Sequence, residues 1–224
     1  MTYDAKGNIE TITNASGQTA HYTYDARGLV LSSTDYAGTT TTYDYNGDGQ
    51  VIRQSTEGLG SITYAYTDGM LTAVTDYLGN TTRTEYDGVG NAIKTTDALG
   101  NATTYTYDKA GRVLSATDSL GNTTTYTYDC NGNTTSVTDP LGNKTTYTYD
   151  RAGRQTQETY PDGTYLKYTY DAMGNITEAI FADGTRNRYV CDSSGNIIKE
   201  ILADGTELTY TYDLLNQRIT ETDM

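Results

Sequence analysis

Polar and apolar side chains alternate along most of this chain in runs of five or six residues. Residues 123–128 read Thr-Thr-Thr-Tyr-Thr-Tyr, and residues 134–138 read Thr-Thr-Ser-Val-Thr. A period of two in runs rich in threonine, tyrosine and valine is typical of β-strands. Each run is bounded by a glycine-containing turn, and connections this short join antiparallel neighbours. The pattern therefore predicts a series of β-hairpins.

A Tyr-Asp dipeptide, or a close relative of it, recurs along the whole sequence. Nine of the ten intervals between successive copies are 21 residues long, and the interval from Tyr66 to Tyr86 is 20. The copies begin at Tyr3, Tyr24, Tyr45, Tyr66, Tyr86, Tyr107, Tyr128, Tyr149, Tyr170, Cys191 and Tyr212. A second glycine marks the other half of each unit and is out of phase only at Gly60. Residues 55–69 are therefore the irregular segment of the array.

This repeat predicts an all-β fold in which about eleven hairpin units form an antiparallel meander of roughly 22 strands. Ten units are full and the eleventh is partial. No linker or charge run divides them, so we expect residues 1–224 to be a single repeat array. At about 4.8 Å per strand the sheet would be on the order of 100 Å wide, and strand twist makes a flat sheet of that width improbable. We expect an open sheet that curves or spirals.

The two faces of the predicted sheet differ in chemistry. Tyr126 and Tyr128 share one face with Thr124, whereas Thr125 and Thr127 lie on the other. On the returning strands, the second residue after the turn glycine is apolar in most units, and we assign it to the tyrosine face. These residues are Ile9, Val30, Val51, Leu71, Ala92, Val113, Ile176 and Ile197. No unit could bury this face alone, so stability must come from neighbouring units.

The turn around the second glycine of each unit, which we call the second turn, has different residues after about residue 150. Four earlier units use Leu-Gly-Asn, at Leu78, Leu99, Leu120 and Leu141, and the last three use Asp-Gly-Thr, at Asp162, Asp183 and Asp204. Asp-Gly favours a tight primed turn with positive φ. The change indicates either a different sheet curvature or drift among duplicated units, and we favour drift.

Composition and charge narrow the classes of function. The 45 threonines, 23 tyrosines and 23 glycines agree with strands and turns. The net charge of −14 argues against binding to nucleic acid or anionic membranes, because phosphates are neutralised by clustered lysine and arginine. No apolar run has the roughly 20 residues of a membrane helix. No basic and apolar segment typical of a signal peptide follows Met1.

Few residues are candidates for chemistry. Asp44, Asn46 and Asp48 have the opening spacing of a calcium loop, but position twelve is Ser55 instead of glutamate, and turn preference alone explains the same residues. His21, the one histidine, is expected on the threonine face. Cys130 and Cys191 lie in different phases of the repeat, so we expect two free thiols. We assign no catalytic, cofactor-binding or metal-binding residue and predict that the chain is not an enzyme.

The unit Gly-Asn-x-Thr-x-Tyr-x-Tyr-Asp-x-x-Gly-Arg/Asn resembles the YD repeat of the Rhs family. The best matches run from Gly100 to Arg112, from Gly121 to Asn133 and from Gly142 to Arg154. The family includes bacterial Rhs and wall-associated proteins, the shell subunits of insecticidal toxin complexes, and teneurins. Asp139-Pro140-Leu141-Gly142 is similar to the self-cleavage motif of some family shells, but Asn143 follows and the segment keeps the ordinary repeat phase.

The resemblance implies a segment of β-shell wall, without catalysis or cofactor, used to enclose a toxin or to present a surface. Its implied partner is an enclosed toxin domain or a cell-surface glycan or protein, and its implied location is secreted or at the cell surface. The alternative function is an adhesion or carbohydrate-binding module that uses exposed tyrosine and threonine rows. Unpaired sheet edges also make head-to-tail association between chains an expectation. We interpret the chain as a fragment or truncated relative of longer shells.

Overall fold

The computed structural model describes residues 1–223, and within that range it contains 22 β-strands and no helix. Every pairing described is antiparallel and joins strands that are consecutive in the sequence. The chain forms two compact units. Unit 1 comprises residues 1–107 and 117–121, and unit 2 comprises residues 108–116 and those from 122 onward. The predicted all-β meander of hairpins is confirmed.

The strands are short and regular. The first eleven are β1 Thr2–Tyr3, β2 Ile9–Thr13, β3 Thr19–Tyr24, β4 Val30–Thr34, β5 Thr40–Tyr45, β6 Val51–Thr56, β7 Gly60–Thr67, β8 Met70–Thr75, β9 Thr81–Tyr86, β10 Ala92–Thr96 and β11 Ala102–Tyr107. The others are β12 Val113–Thr117, β13 Thr123–Tyr128, β14 Thr134–Thr138, β15 Lys144–Tyr149, β16 Gln155–Thr159, β17 Tyr165–Tyr170, β18 Ile176–Phe181, β19 Arg186–Cys191, β20 Ile197–Ile201, β21 Glu207–Tyr212 and β22 Arg218–Asp223.

The register places the repeat tyrosines and the apolar residues on one face, as predicted. Tyr24 is the cross-strand partner of Val30, and Tyr45 is the partner of Val51. Directly opposed residues of an antiparallel pair lie on the same face of the sheet. In β13 the tyrosines are partly buried, whereas Thr125 is exposed. We call the two sides of the sheet the tyrosine face and the threonine face.

A β-bulge follows the Tyr-Asp turn in each of the ten such hairpins whose pairing is described. In one of them Tyr128 pairs with Thr134 and Thr127 pairs with Ser136, which leaves Thr135 as the extra residue. The hydroxyl groups of Thr127 and Thr135 lie 2.8 Å apart, so the bulge residue projects from the threonine face. Some units carry an apolar residue at this position, so the threonine face is less uniformly polar than the sequence predicts. Bulges bend a strand and increase its local twist.

The Tyr-Asp turn is held by its own aspartate. The Asp129 backbone N–H donates to the Asn133 carbonyl (3.0 Å), and the Gly132 N–H donates to the Asp129 carbonyl (3.2 Å). Asp129 Oδ1 accepts the backbone N–H groups of Asn131 and Asn133, both at 2.9 Å. Gly132 has a φ of +93°, which glycine adopts most readily. The aspartate of the repeat is therefore a turn cap.

The second turn keeps one backbone geometry on both sides of residue 150. The Tyr160 N–H donates to the Thr164 carbonyl (2.9 Å), as the Asp139 N–H does to the Asn143 carbonyl (3.0 Å). The prediction of primed turns at Asp162, Asp183 and Asp204 is wrong. Primed turns of type I′ need positive φ at both central residues, and in these turns only the glycine has it.

The change in sequence instead moves the cap by two positions. The Asp162 carboxylate accepts the Thr164 backbone N–H at 2.9 Å and the Thr164 hydroxyl at 2.6 Å. A turn with positive φ at two consecutive residues does occur at Asp68 (+52°) and Gly69 (+78°), within the irregular segment. There Thr67 and Met70 are opposed, so the loop has two residues.

Tyrosine hydroxyl groups link most hairpins to the preceding one. The Tyr149 hydroxyl donates to the Thr134 carbonyl at 2.8 Å. This carbonyl lies beyond the ladder between β14 and β15, whose register begins at Ser136, so the hydroxyl pairs a backbone group that the ladder leaves out. Nine repeat tyrosines make this bond to a carbonyl 15 residues earlier, at 2.6–3.0 Å, namely Tyr24, Tyr45, Tyr66, Tyr86, Tyr107, Tyr128, Tyr149, Tyr170 and Tyr212.

The sheet has almost no buried interior in the described part of the chain. The buried residues are Ala20, Ser136 and Ala179, and no side chain there is less than 2% exposed. Most strand residues are partly buried, because each side chain is covered by its cross-strand and diagonal neighbours. Each hairpin therefore owes its stability mainly to the hairpins beside it.

We predict that Cys191→Tyr stabilises the protein. Cys191 stands at the place of a repeat tyrosine and pairs with Ile197, so the Ile176 carbonyl lacks the hydroxyl donor that its counterparts have. Restoring one hydrogen bond is worth about 1 kcal/mol, which a urea titration followed by circular dichroism can measure. Cys191→Phe supplies the ring without the hydroxyl and is the matched control. Equal stability of the two variants would exclude the hydroxyl as the cause.

We also predict a loss of stability in acid. Hydrogen bonds from the Asn133 and Asn175 side chains hold the pKa of Asp129 and of Asp171 below the ordinary range. Carboxylates with a lowered folded-state pKa contribute stability above the unfolded pKa of about 3.9, and this contribution disappears as the pH falls through the folded pKa. The thermal midpoint should therefore fall steeply below about pH 4. A midpoint independent of pH in that range would contradict the capping role.

Candidate functional site: contacts between neighbouring repeats

Arginine side chains join the Tyr-Asp turns of neighbouring repeats in unit 2. Arg112 Nε donates to Asp108 Oδ2 (2.7 Å) within its own turn, and Nη1 donates to the Asp129 carbonyl (3.1 Å) of the next turn. The Arg112 guanidinium carbon lies 4.7 Å from the centroid of the Tyr128 ring, within the range of a cation–π contact. One side chain therefore contacts a carboxylate, a backbone carbonyl and an aromatic ring in two repeats.

The same arrangement occurs two repeats later. Arg154 Nη1 donates to the Asp171 carbonyl at 3.2 Å, and its guanidinium carbon lies 4.6 Å from the Tyr170 ring centroid. Hydrogen bonds from the backbone and side chain of Arg154 help to lower the pKa of Asp150. Sequence reasoning missed these contacts, although a signal was present: arginine directly after the turn glycine, with the repeat tyrosine 16 residues later.

Hydroxyl groups form cross-strand pairs on the threonine face. The Thr127 and Ser136 hydroxyl oxygens are 2.7 Å apart, and those of Thr148 and Thr156 are 2.9 Å apart. Each hydroxyl can donate one hydrogen bond and accept others, so neighbouring side chains pair without a charged group. The arrangement stabilises the sheet where hydroxyl-bearing residues face each other, whereas other rows of the same face carry ion pairs such as Lys94–Glu85.

The three calcium candidates lie in an ordinary Tyr-Asp hairpin. Asn46 Oδ1 accepts the backbone N–H groups of Asp48 (3.0 Å) and Gln50 (2.9 Å), so Asn46 is the turn cap that aspartate provides in other repeats. Asp44 lies in β5 opposite Arg53. The structure thus places Asp44 in a strand and Asn46 in the turn that follows.

The histidine and the two cysteines also occupy regular repeat positions. His21 is exposed in β3, between Thr11 and Thr34 of the adjacent strands. Cys130 is exposed and Cys191 is partly buried, and both are free thiols. Burial raises the pKa of the Cys191 thiol, with smaller contributions from Asp171 and Asp192.

The Asp139-Pro140-Leu141-Gly142 segment is an ordinary second turn. Asp139 Oδ1 accepts the backbone N–H groups of Leu141 (2.9 Å) and Asn143 (2.8 Å), as the capping aspartates of other turns do. Within residues 1–223, no three His, Cys, Asp or Glu side chains are grouped so that they could hold a metal ion. The same range contains no helix with the length and hydropathy of a membrane span.

Solved structures share this fold. The crystal structure of TcdB2-TccC3-Cdc42 matches 96% of the chain with a TM-score of 0.78 at 18% identity, and that of TcdB2-TccC3 without its hypervariable C-terminal region matches 96% with a TM-score of 0.79 at 19% identity. The Tc holotoxin pore of Photorhabdus luminescens with the mutation TccC3-D651A matches 97% with a TM-score of 0.60 at 16% identity. The chain spans only 13–15% of the length of these chains.

Two family models match the sequence and together reach nearly all of it. The model described as Teneurin YD-shell matches residues 93–224. The model described as RHS Repeat matches residues 3–35, 24–62 and 66–102. No curated protein sequence matches the chain. The Tyr-Asp unit, the hairpin meander and these matches agree, and the chain belongs to the family of RHS and YD-repeat shell proteins.

Proposed function

We propose that residues 1–224 are one continuous, non-catalytic section of an Rhs-type β-shell wall that encloses a toxin domain. The observation that carries this proposal is the bond from nine repeat tyrosines to the preceding hairpin, because it makes neighbouring units depend on each other. A sheet built in this way gains a further unit without any change to the existing ones. The width of the sheet therefore grows with the number of units, as a wall requires.

The two faces support a wall better than a pocket-based activity. The threonine face presents paired, uncharged hydroxyl groups such as those of Thr127 and Ser136. The tyrosine face presents the partly buried repeat tyrosines, whose hydroxyl groups donate to backbone carbonyls. Many polar groups of both faces are therefore paired within the sheet, which suits a barrier.

The comparisons support a toxin context. The neighbours with the same fold include a Tc holotoxin, and the Rhs resemblance implies a shell that encloses a C-terminal toxin. A shell of this kind acts outside the cell that makes it, so we propose a secreted or cell-surface location. The chain covers a small part of each neighbour, so its cargo would be held by a longer wall of which this section is one part.

The native reading frame and its product test the proposal. We expect the source DNA to encode further Tyr-Asp units and a non-repeat C-terminal segment. In the purified full-length product, that segment should resist trypsin, because a closed wall excludes the protease. The same segment expressed alone is the matched control and should be digested rapidly.

Two outcomes would overturn the toxin-enclosing wall. One is a native frame that encodes only these 224 residues. The other is a non-repeat segment that trypsin digests equally fast inside the full-length product and alone. In either case, the repeat array would have to serve a role other than enclosure.

A further inference from the structure

A groove lined by aromatic and aliphatic side chains lies at the second-turn edge of unit 2. Tyr160, Leu166 and Phe181 line it together with Thr164, Tyr165, Ala182 and Asp183. Leu166 and Phe181 are direct cross-strand partners. Tyr160 is 38% exposed and Phe181 is 36% exposed, so both rings offer open surface. We call Tyr160, Leu166 and Phe181 the aromatic groove.

A carboxylate adjoins the aromatic groove on the same face. Glu158 is the cross-strand partner of Leu166 on one side and of Tyr147 on the other, and it is partly buried. Burial raises the pKa of Tyr160, and the nearby Glu158 carboxylate adds to this effect. Burial raises the pKa of Tyr168, and the charge of Glu158 adds to this effect. In all, the Glu158 carboxylate contributes, after burial, to the raised pKa of four tyrosines, namely Tyr147, Tyr149, Tyr160 and Tyr168.

The electrostatic balance of the groove is negative. None of the residues that line it is basic, and one of them, Asp183, adds a second carboxylate. Lys167 alternates with Leu166 along β17 and so belongs to the threonine face. Its Nζ lies 4.5 Å from the centroid of the Tyr165 ring, so one lysine charge lies against a ring of the lining, compared with the two carboxylates of Glu158 and Asp183.

The groove arises from coordinated changes at three positions of the repeat. One repeat earlier, the places of Glu158, Tyr160 and Leu166 are taken by Val137, Asp139 and Thr145. The capping carboxylate has moved to Asp162, which frees position 160 for an aromatic ring without altering the turn. At the edge of the sheet, Tyr160 and Leu166 thus replace polar residues. Next to them, Glu158 replaces an apolar residue.

We propose that the aromatic groove binds an organic cation, an alkylammonium group carried on an apolar stem. Charge complementarity selects this ligand, because the Glu158 carboxylate and the exposed faces of Tyr160 and Phe181 all attract positive charge. An apolar stem gains from contact with Leu166 and Phe181. A neutral sugar would leave Glu158 without a counter-charge. This inference does not depend on the proposed shell function.

Choline and its neutral isostere 3,3-dimethyl-1-butanol test the charge requirement. Isothermal titration calorimetry on the full chain should show saturable binding of choline and at least about tenfold weaker binding of the isostere, since the two ligands differ in charge and little in shape. Glu158→Gln keeps the size and the hydrogen-bond acceptor and should weaken choline binding by a similar factor. Choline binding should also weaken as salt is added.

Glu200→Gln is the matched control. Glu200 holds the place of Glu158 two repeats later, but Leu202 stands there where the groove has Tyr160. This variant should bind choline as the unaltered chain does, and circular dichroism of both variants separates lost binding from lost folding. Equal binding of choline and the isostere, equal loss in the two variants, or binding of methyl glucoside in place of choline would overturn the cation site. Absence of choline binding by the folded chain would do the same.

Discussion

The bond between a tyrosine hydroxyl and a backbone carbonyl of the preceding hairpin is the interaction on which the array depends. A single sheet layer cannot remove large side chains from water on both faces, and here no described side chain is fully buried. The free energy of folding must then come from contacts between neighbours. The Tyr149 hydroxyl shows how one atom supplies two such contributions. It pairs the Thr134 carbonyl beyond the end of the ladder, and it fixes the ring across the sheet.

The second turn shows how a sheet of this type acquires new chemistry without a change of fold. Its backbone hydrogen bonds are the same whether the first residue is Asp139 or Tyr160. A carboxylate at either of two turn positions can accept the backbone N–H group that needs a partner. Side chains at the edge are therefore interchangeable as long as one cap remains. The aromatic groove occupies the position released in this way.

The sequence was sufficient for the parts of the fold that depend on period. The spacing of Tyr126 and Tyr128 predicted their shared face, and the turn glycines predicted the hairpins. It was insufficient for contacts that depend on the third dimension. The extra residue at Thr135 does not disturb the 21-residue period, so periodicity cannot reveal the bulge. Likewise, the hydrogen bond from Arg112 to the Asp129 carbonyl depends on how far apart neighbouring turns lie in space, and the order of residues does not state that distance. The prediction of primed turns at Asp162, Asp183 and Asp204 was wrong because these loops are longer than two residues. In them, the glycine occupies the one position that has a positive φ.

The fixed separation of 15 residues between donor and acceptor has a consequence for how such genes can change. Duplication or loss of a whole 21-residue unit by recombination leaves every tyrosine facing an acceptor, so copy number can vary without loss of the fold. Even the 20-residue interval between Tyr66 and Tyr86 obeys this rule. The missing residue falls in the turn at Asp68, before Leu71, and the Tyr86 hydroxyl still reaches the Leu71 carbonyl at 2.9 Å. The fold tolerates the loss of one residue in that turn. A deletion between Leu71 and Tyr86 would instead change the 15-residue separation between the hydroxyl donor and its carbonyl acceptor.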